Sequence, residues 1–94
     1  MRRVLHGDVV AAARALLAAA PARRAALIAQ LIDEAEAADT HRRRTGRAHP
    51  AWGTGSLMSA ALARPCAREP YLDDPDYAAC LVQVFEALIA RAAR

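Results

Sequence analysis

Residues 22–44, ARRAALIAQLIDEAEAADTHRRR, decide the fold class of this chain. Apolar side chains recur there every three or four residues, which is the spacing of one face of an α-helix. The apolar stripe consists of Leu27, Ile28, Leu31, Ile32, Ala35 and Ala38. The predicted solvent face carries Arg23, Arg24, Gln30, Asp33, Glu34 and Glu36. Pro21 suits the start of a helix and Gly46 suits a left-handed cap, so the sequence predicts a long helix over 22–44.

The segment before this helix predicts a shorter one. Asp8 is a good N-cap residue, and apolar residues at helical spacing follow it, so we expect a helix over 9–19. Arg14 falls on the face opposite the apolar stripe and is expected to meet solvent. Residues 1–6 are expected to be a short lead-in. Pro21 cannot donate a backbone hydrogen bond and therefore ends this helix.

Two helices are predicted after the long one. Thr54 or Ser56 can cap a helix over 57–63. The run Asp73-Asp74-Pro75-Asp76 places an acid at the N-cap and proline at the first helical position, and an unbroken apolar stripe follows over 75–92. β-branched and aromatic residues are scarce, which argues against a sheet. The prediction is an all-α single domain over 1–94, a small irregular four-helix bundle whose second and fourth helices form the spine.

Composition limits the classes of function. The chain has 94 residues and a formal net charge of +3, which permits an anionic partner without requiring one. All 13 basic residues are arginine. Arginine-only usage fits a GC-rich coding bias, or bidentate recognition of phosphate or carboxylate. Cys66 and Cys80 have no metal-ligand spacing and are expected to be reduced. No segment resembles an export signal or a bilayer span, so we expect a cytoplasmic protein.

The segment between the second and third helices concentrates the residues that could bind a partner. We call residues 41–56 the connector. Its arginines suit either a solvated helix end, stabilised by the helix dipole, or an anion site. Asp39 precedes Arg43 by four residues, which is a favourable orientation for an ion pair along a helix. Trp52 could anchor a partner or close the connector onto the helices, and packing is the favoured interpretation. The candidate partner- or phosphate-binding residues are Arg42, Arg43, Arg44, Arg47, His49 and Trp52.

The connector ends in a glycine turn, Gly53-Thr54-Gly55-Ser56. Backbone N–H groups at such a turn can cradle an anion, but the spacing fits neither a P-loop nor a dinucleotide fingerprint. Helix capping is the favoured interpretation, and the turn is kept as a weak anion-binding candidate. The histidines form no zinc-binding motif. The sequence therefore predicts no metal, no cofactor and no catalytic residue.

The block RRRTGRAHPAWGTGSLMSAAL resembles a family of short uncharacterised alphaproteobacterial proteins. The HGD near the start and the EPYLDDPDYAAC near the end are similar to that family as well. The likeness spans nearly the whole chain and implies that residues 42–56 are the family's signature region. It implies no activity, cofactor or partner.

Together these observations favour a non-catalytic binding or regulatory module whose connector meets an acidic protein. Binding of DNA or RNA phosphate through the same arginines is the alternative, although the predicted spacing of helices is too wide for a helix-turn-helix and one tryptophan is a small stacking platform. An enzyme is the third and least favoured class, because the scaffold is too small to enclose a substrate between lobes. A homodimer through the first or fourth helix is also permitted, since alanine-rich faces allow close approach.

Overall fold

The apolar spacing of the sequence becomes four α-helices in the computed structural model, which describes residues 1–93. The helices are α1 (His6–Ala18), α2 (Arg24–Thr45), α3 (Leu57–Leu62) and α4 (Pro75–Ala92), and a 3-10 turn over Pro21–Arg23 leads into α2. The all-α prediction is confirmed, and each helix boundary lies within three residues of its predicted position. The described residues measure 41 × 29 × 23 Å along the principal axes.

Helix α1, and not the predicted pair of α2 and α4, is the centre of the bundle. It packs most extensively against α4 and α3, whereas α2 packs less closely against α3 and α4. The buried side chains of α1 include Ala11, Ala12, Ala13, Ala15 and Leu16. The four alanines among them let neighbouring helices approach α1 closely from more than one side. The predicted spine was wrong because apolar periodicity undervalues alanine, whose small size is what permits close packing around α1.

Arg24 is buried, although the sequence placed it on the solvent face of α2. Its Nε donates hydrogen bonds to the carbonyl oxygens of Leu16 (2.8 Å) and Ala19 (3.2 Å) at the end of α1. Its Nη1 donates to Asp76 Oδ1 at 2.7 Å, in the first turn of α4. The last carbonyls of a helix have no partner within the helix, so this guanidinium satisfies α1 while it joins α2 to α4. The hydrogen bond from Arg24 lowers the pKa of Asp76.

Two other residues assigned to solvent also serve the fold. Arg14 Nε donates to the carbonyl of Ala67 at 2.8 Å, which fixes the loop between α3 and α4 across α1. Glu34 is buried and forms an ion pair with Arg64. Both predictions were wrong for the same reason. Their partners lie 53 and 30 residues away in sequence, and helical periodicity contains no information about such contacts.

The N-cap of α4 and the C-cap of α2 agree with the sequence. Asp74 is the N-cap of α4, and its Oδ1 accepts hydrogen bonds from the backbone N–H groups of Asp76 and Tyr77, both at 3.0 Å. Gly46 ends α2 with φ of 73°, which confirms the predicted left-handed cap.

Cys80 is fully buried and burial raises its pKa, consistent with an unreactive thiol. No helix within residues 1–93 combines the length and apolar character that a bilayer span requires.

Candidate functional site

The first residues of the chain belong to the site and are not a lead-in. The backbone N–H of Arg2 donates to the carbonyl of Gly55 at 2.8 Å, which attaches this segment to the connector. The α-amino group of Met1 lies 3.3 Å from Asp39 Oδ2. Sequence reasoning missed this placement because both contacts join residues that are far apart in the chain.

Asp8 joins the N-terminal ends of two helices. It is the third residue of α1 and not the predicted N-cap, a position that Leu5 occupies. Its Oδ2 accepts a hydrogen bond from Leu5 N at 2.7 Å, and its Oδ1 accepts one from Met58 N at 2.9 Å in the first turn of α3. One buried carboxylate therefore caps α1 and α3 together. Asp8 caps α1 as predicted, but it does so from the third helical position and not from the N-cap position.

Asp39 is the centre of the positive cluster. Its Oδ1 lies 3.0 Å from Arg42 Nη2 and its Oδ2 lies 3.3 Å from Arg43 Nη2, in addition to the Met1 amino group. The predicted contact between Asp39 and Arg43 is thus observed. The hydrogen bond from Arg42, with the other two cations, lowers the pKa of Asp39. Three cations share one carboxylate, so positive charge remains in excess.

Arg44 and Arg47 are the uncompensated members of the cluster. Both are exposed, and neither forms an ion pair with any carboxylate within residues 1–93. Arg44 lies in the last turn of α2, where positive charge complements the helix dipole. Arg47 follows the Gly46 cap and is held by its backbone N–H, which donates to Thr45 Oγ1 at 3.1 Å. These two guanidinium groups are free to meet an anion.

The connector has a defined structure of its own. His49 and Gly53 exchange two backbone hydrogen bonds of 2.7 and 3.0 Å, which close the intervening residues into a tight loop. Within it, His49 Nδ1 accepts hydrogen bonds from the backbone N–H groups of Ala51 (3.0 Å) and Trp52 (3.2 Å). Because Nδ1 accepts, the ring proton resides on Nε2. His49 therefore orders the loop, a role that its sequence position does not reveal.

Trp52 is half-buried and stacks on His49, with ring centroids 4.6 Å apart and planes inclined by 6°. The ring of His41 meets the ring of His49 edge-on at 5.1 Å. The indole is therefore partly accessible and lies at the same end as Arg44 and Arg47. His49 covers one face of the indole, which leaves less of it for stacking with a nucleic-acid base.

The glycine turn already has partners inside the chain. The N–H of Gly53 donates to the carbonyl of His49, and the N–H of Thr54 donates to Ser59 Oγ at 3.2 Å. Ser56 Oγ accepts from Ser59 N at 3.1 Å, as the N-cap of α3. Gly55 has a φ of 96°, and a Cβ there would lie 2.6 Å from the Asp39 Cα. The capping role of Ser56 is observed, while anion binding by this turn stays a prediction.

A groove of about 630 Å³ opens beside this cluster. Four arginines surround it, two from the start of the chain (Arg2 and Arg3) and two from α2 (Arg42 and Arg43). Leu5 and Met58 supply apolar walls. The sequence analysis missed Arg2 and Arg3, because no local pattern relates residues 2 and 3 to residues 42 and 43. We call the six arginines Arg2, Arg3, Arg42, Arg43, Arg44 and Arg47 the cationic end.

Within residues 1–93, no group of three or more His, Cys, Asp or Glu side chains is placed to hold a metal ion.

An apolar face of α4, away from the cationic end, is exposed. Val82, Phe85 and Ile89 follow one another at helical spacing on α4, with exposed fractions of 53, 52 and 69%. The homodimer through α1 or α4 stays a prediction.

The fold and the site define a small all-α domain with a cationic end. Over residues 2–88 the chain matches the family described as Domain of unknown function (DUF7742), and it belongs to that family. Searches of curated proteins and of solved structures give no match. The family assignment covers all four helices except the last turn of α4.

Proposed function

We propose that this protein is a non-catalytic binding module that engages an acidic protein partner through its cationic end. The observation that carries the proposal is the uneven distribution of charge. The cationic end has six arginines, and among residues 1–93 the acids that pair with it or line its groove are Asp8 and Asp39 alone. The other arginines number seven and the other acids eight. Positive charge is therefore concentrated at one end of a nearly balanced molecule.

The accessibility of individual groups supports the same function. Arg44 and Arg47 are exposed without an ion pair, and Arg43 is 66% exposed although it contacts Asp39. Arginine binds carboxylates with two parallel hydrogen bonds, which suits a protein surface rich in Asp and Glu. Trp52 lies half-buried at the same end, and tryptophan is enriched at interface hot spots. A rigid loop holds it, so little conformational freedom is lost on binding.

Nucleic-acid binding through the same arginines is the alternative function. Contacts from Arg44 and Arg47 alone would give a slope of log affinity against log salt of about −1.8 on duplex DNA, and four arginines about −3.6. The stacking of His49 on Trp52 disfavours this function, because readers of single strands need aromatic faces that are open to bases.

Fluorescence anisotropy can test the proposal with labelled poly-glutamate, single-stranded DNA, duplex DNA and RNA at low and high salt. We expect poly-glutamate to bind at low salt and the Arg44→Glu, Arg47→Glu double variant to lose at least about tenfold in affinity. Arg43 is left unchanged because glutamate at that position would face Asp39 and disturb the fold.

The matched control is the Arg23→Glu, Arg68→Glu double variant, which changes the net charge equally. Both side chains are exposed, lie outside the cationic end and form no ion pair within residues 1–93. We expect it to keep most of the affinity. Equal losses in the two variants, or no binding of poly-glutamate at low salt, would contradict the proposal. Tighter binding of DNA or RNA, with a steep salt dependence, would favour the alternative.

A further inference from the structure

The groove at the cationic end combines a positively charged surface with an apolar one. Four arginines line it, Arg2, Arg3, Arg42 and Arg43. Its walls include Leu5, which is 70% exposed, and Met58, which is 36% exposed. A volume of about 630 Å³ lies in the range typical of sites that bind small ligands, so the groove can hold more than one side chain of a peptide.

The charges that line the groove favour an anionic occupant. Its two carboxylates are both occupied, because Asp8 accepts from Leu5 N and Met58 N, and Asp39 contacts the Met1 amino group and two arginines. Four arginines against two engaged carboxylates leave the lining positive. The side chain of Arg42 is 41% exposed and that of Arg43 is 66% exposed, so both guanidinium groups remain accessible beside Asp39.

The apolar walls distinguish between anionic occupants. A phosphate group or a nucleic-acid backbone would satisfy the arginines but would leave Leu5 and Met58 in contact with water. An aliphatic side chain would cover them, and methionine adapts well to partners of varied shape. From these two observations we infer that the groove binds an acidic peptide segment and receives one of its aliphatic side chains between Leu5 and Met58. This inference rests on the proposed function and names the kind of segment that the acidic partner supplies.

A substitution at Gly7 can change the shape of the groove without changing its charge. A Cβ at Gly7 would lie 2.6 Å from the terminal methyl group of Met58, so Gly7→Ala forces that methyl group to move. Gly7 lies in the first turn of α1, and alanine favours the helix more than glycine does. The variant therefore reshapes the apolar wall while the fold is retained.

The test compares two labelled peptides of equal length and charge, one alternating Glu with Leu and the other alternating Glu with Ser. We expect the wild-type protein to bind the Leu peptide about tenfold more tightly, from burial of one aliphatic side chain. The Leu5→Ser, Met58→Ser double variant should reduce that preference to less than about twofold. Gly7→Ala should change the preference for the Leu peptide over the Ser peptide.

The matched control is Leu62→Ser, Val82→Ser, which removes two exposed apolar side chains outside the groove. It should keep the preference for the Leu peptide. Equal wild-type affinity for both peptides would overturn the groove inference while the acidic-partner function stands. A preference that survives Leu5→Ser, Met58→Ser, or that the control also loses, would overturn it in the same way. Failure of both peptides to bind at low salt would overturn the inference and the proposed function together.

Discussion

Two ion clusters of this molecule differ in whether their charges and hydrogen-bond partners are balanced. At the junction of α1, α2 and α4, one buried arginine, Arg24, donates to carbonyl oxygens of α1 and to the carboxylate of Asp76. At the cationic end, one buried carboxylate, Asp39, contacts two arginines and the Met1 amino group. In the first cluster acceptors match donors, and in the second cations outnumber acids.

This difference separates a structural role from the proposed binding role. Arg24 is 6% exposed and all three of its guanidinium nitrogens have acceptors within the chain. The side chains of Arg42 and Arg43 are 41% and 66% exposed. Surface ion pairs contribute little to stability, whereas a buried group that loses its partner is strongly destabilising. Variants of the two clusters should therefore have unequal effects on unfolding.

The largest loss of stability is expected for Arg24→Met. Methionine fills a similar volume but leaves the carbonyls of Leu16 and Ala19 without the Arg24 donor. We expect the free energy of unfolding to fall by about 3 kcal/mol, measured by urea denaturation, and the Tm to fall by at least about 10 °C. Arg23→Met, at the exposed neighbouring position, is the control and should change stability little. A loss below about 1 kcal/mol in Arg24→Met would show that the junction is not structural.

Gly55→Ala is expected to have the next largest effect, at the cationic end itself. Gly55 has a φ of 96°, and its added Cβ would lie 2.6 Å from the Asp39 Cα, where backbone cannot move easily. We expect a loss of about 2–3 kcal/mol in chemical denaturation. Gly46→Ala is the comparison, because Gly46 has a φ of 73° but open space around it, and should lose only about 1 kcal/mol. Equal losses would mean that the close approach to Asp39 is unimportant.

Acid pH should reduce the stability that both clusters contribute to the fold. The Asp39→Asn variant should show how much of that loss comes from the cationic end. The hydrogen bond from Arg42 holds the pKa of Asp39 below its unfolded value of about 3.9, so its contribution to stability is full above that pH. The contribution is lost as pH falls from about 4 through the lower folded pKa. We expect a smaller fall in Tm between neutral and acid pH in Asp39→Asn than in the wild type.

The other carboxylate provides the control for this measurement. The pKa of Asp76 is also lowered, by Arg24, so Asp39→Asn should retain part of the acid sensitivity. The Asp39→Asn, Asp76→Asn double variant should retain less. A profile of Tm against pH that is identical in the wild type and Asp39→Asn would contradict the assigned role of Asp39.

The smallest effect is expected for Arg43→Gln. Asp39 keeps Arg42 and the Met1 amino group as partners, and the side chain of Arg43 is mostly exposed. We expect the free energy of unfolding to change by less than about 0.5 kcal/mol, measured by urea denaturation. A loss as large as that of Arg24→Met would mean that both clusters are structural, and it would remove the basis for the proposed binding role.

Local patterns predicted the parts of the site that depend on near neighbours. The cap at Gly46, the start of α4 at Asp74 and Pro75, and the contact between Asp39 and Arg43 each involve residues a few positions apart. Short-range spacing is enough to specify them, because a helix places residues four apart on the same side. The binding role of the cationic end remains a proposal.

The sequence by itself determined that this chain forms four α-helices, where they begin and end to within three residues, and that arginines lie at the end of the second helix. Only the tertiary structure decided that α1 is central, that Arg24 is buried, and that Arg2 and Arg3 join Arg42 and Arg43 around one groove. The physical reason is the separation in sequence of the residues that make each contact. Helix formation depends on residues within a turn of one another, whereas burial and charge pairing depend on which helices meet in space.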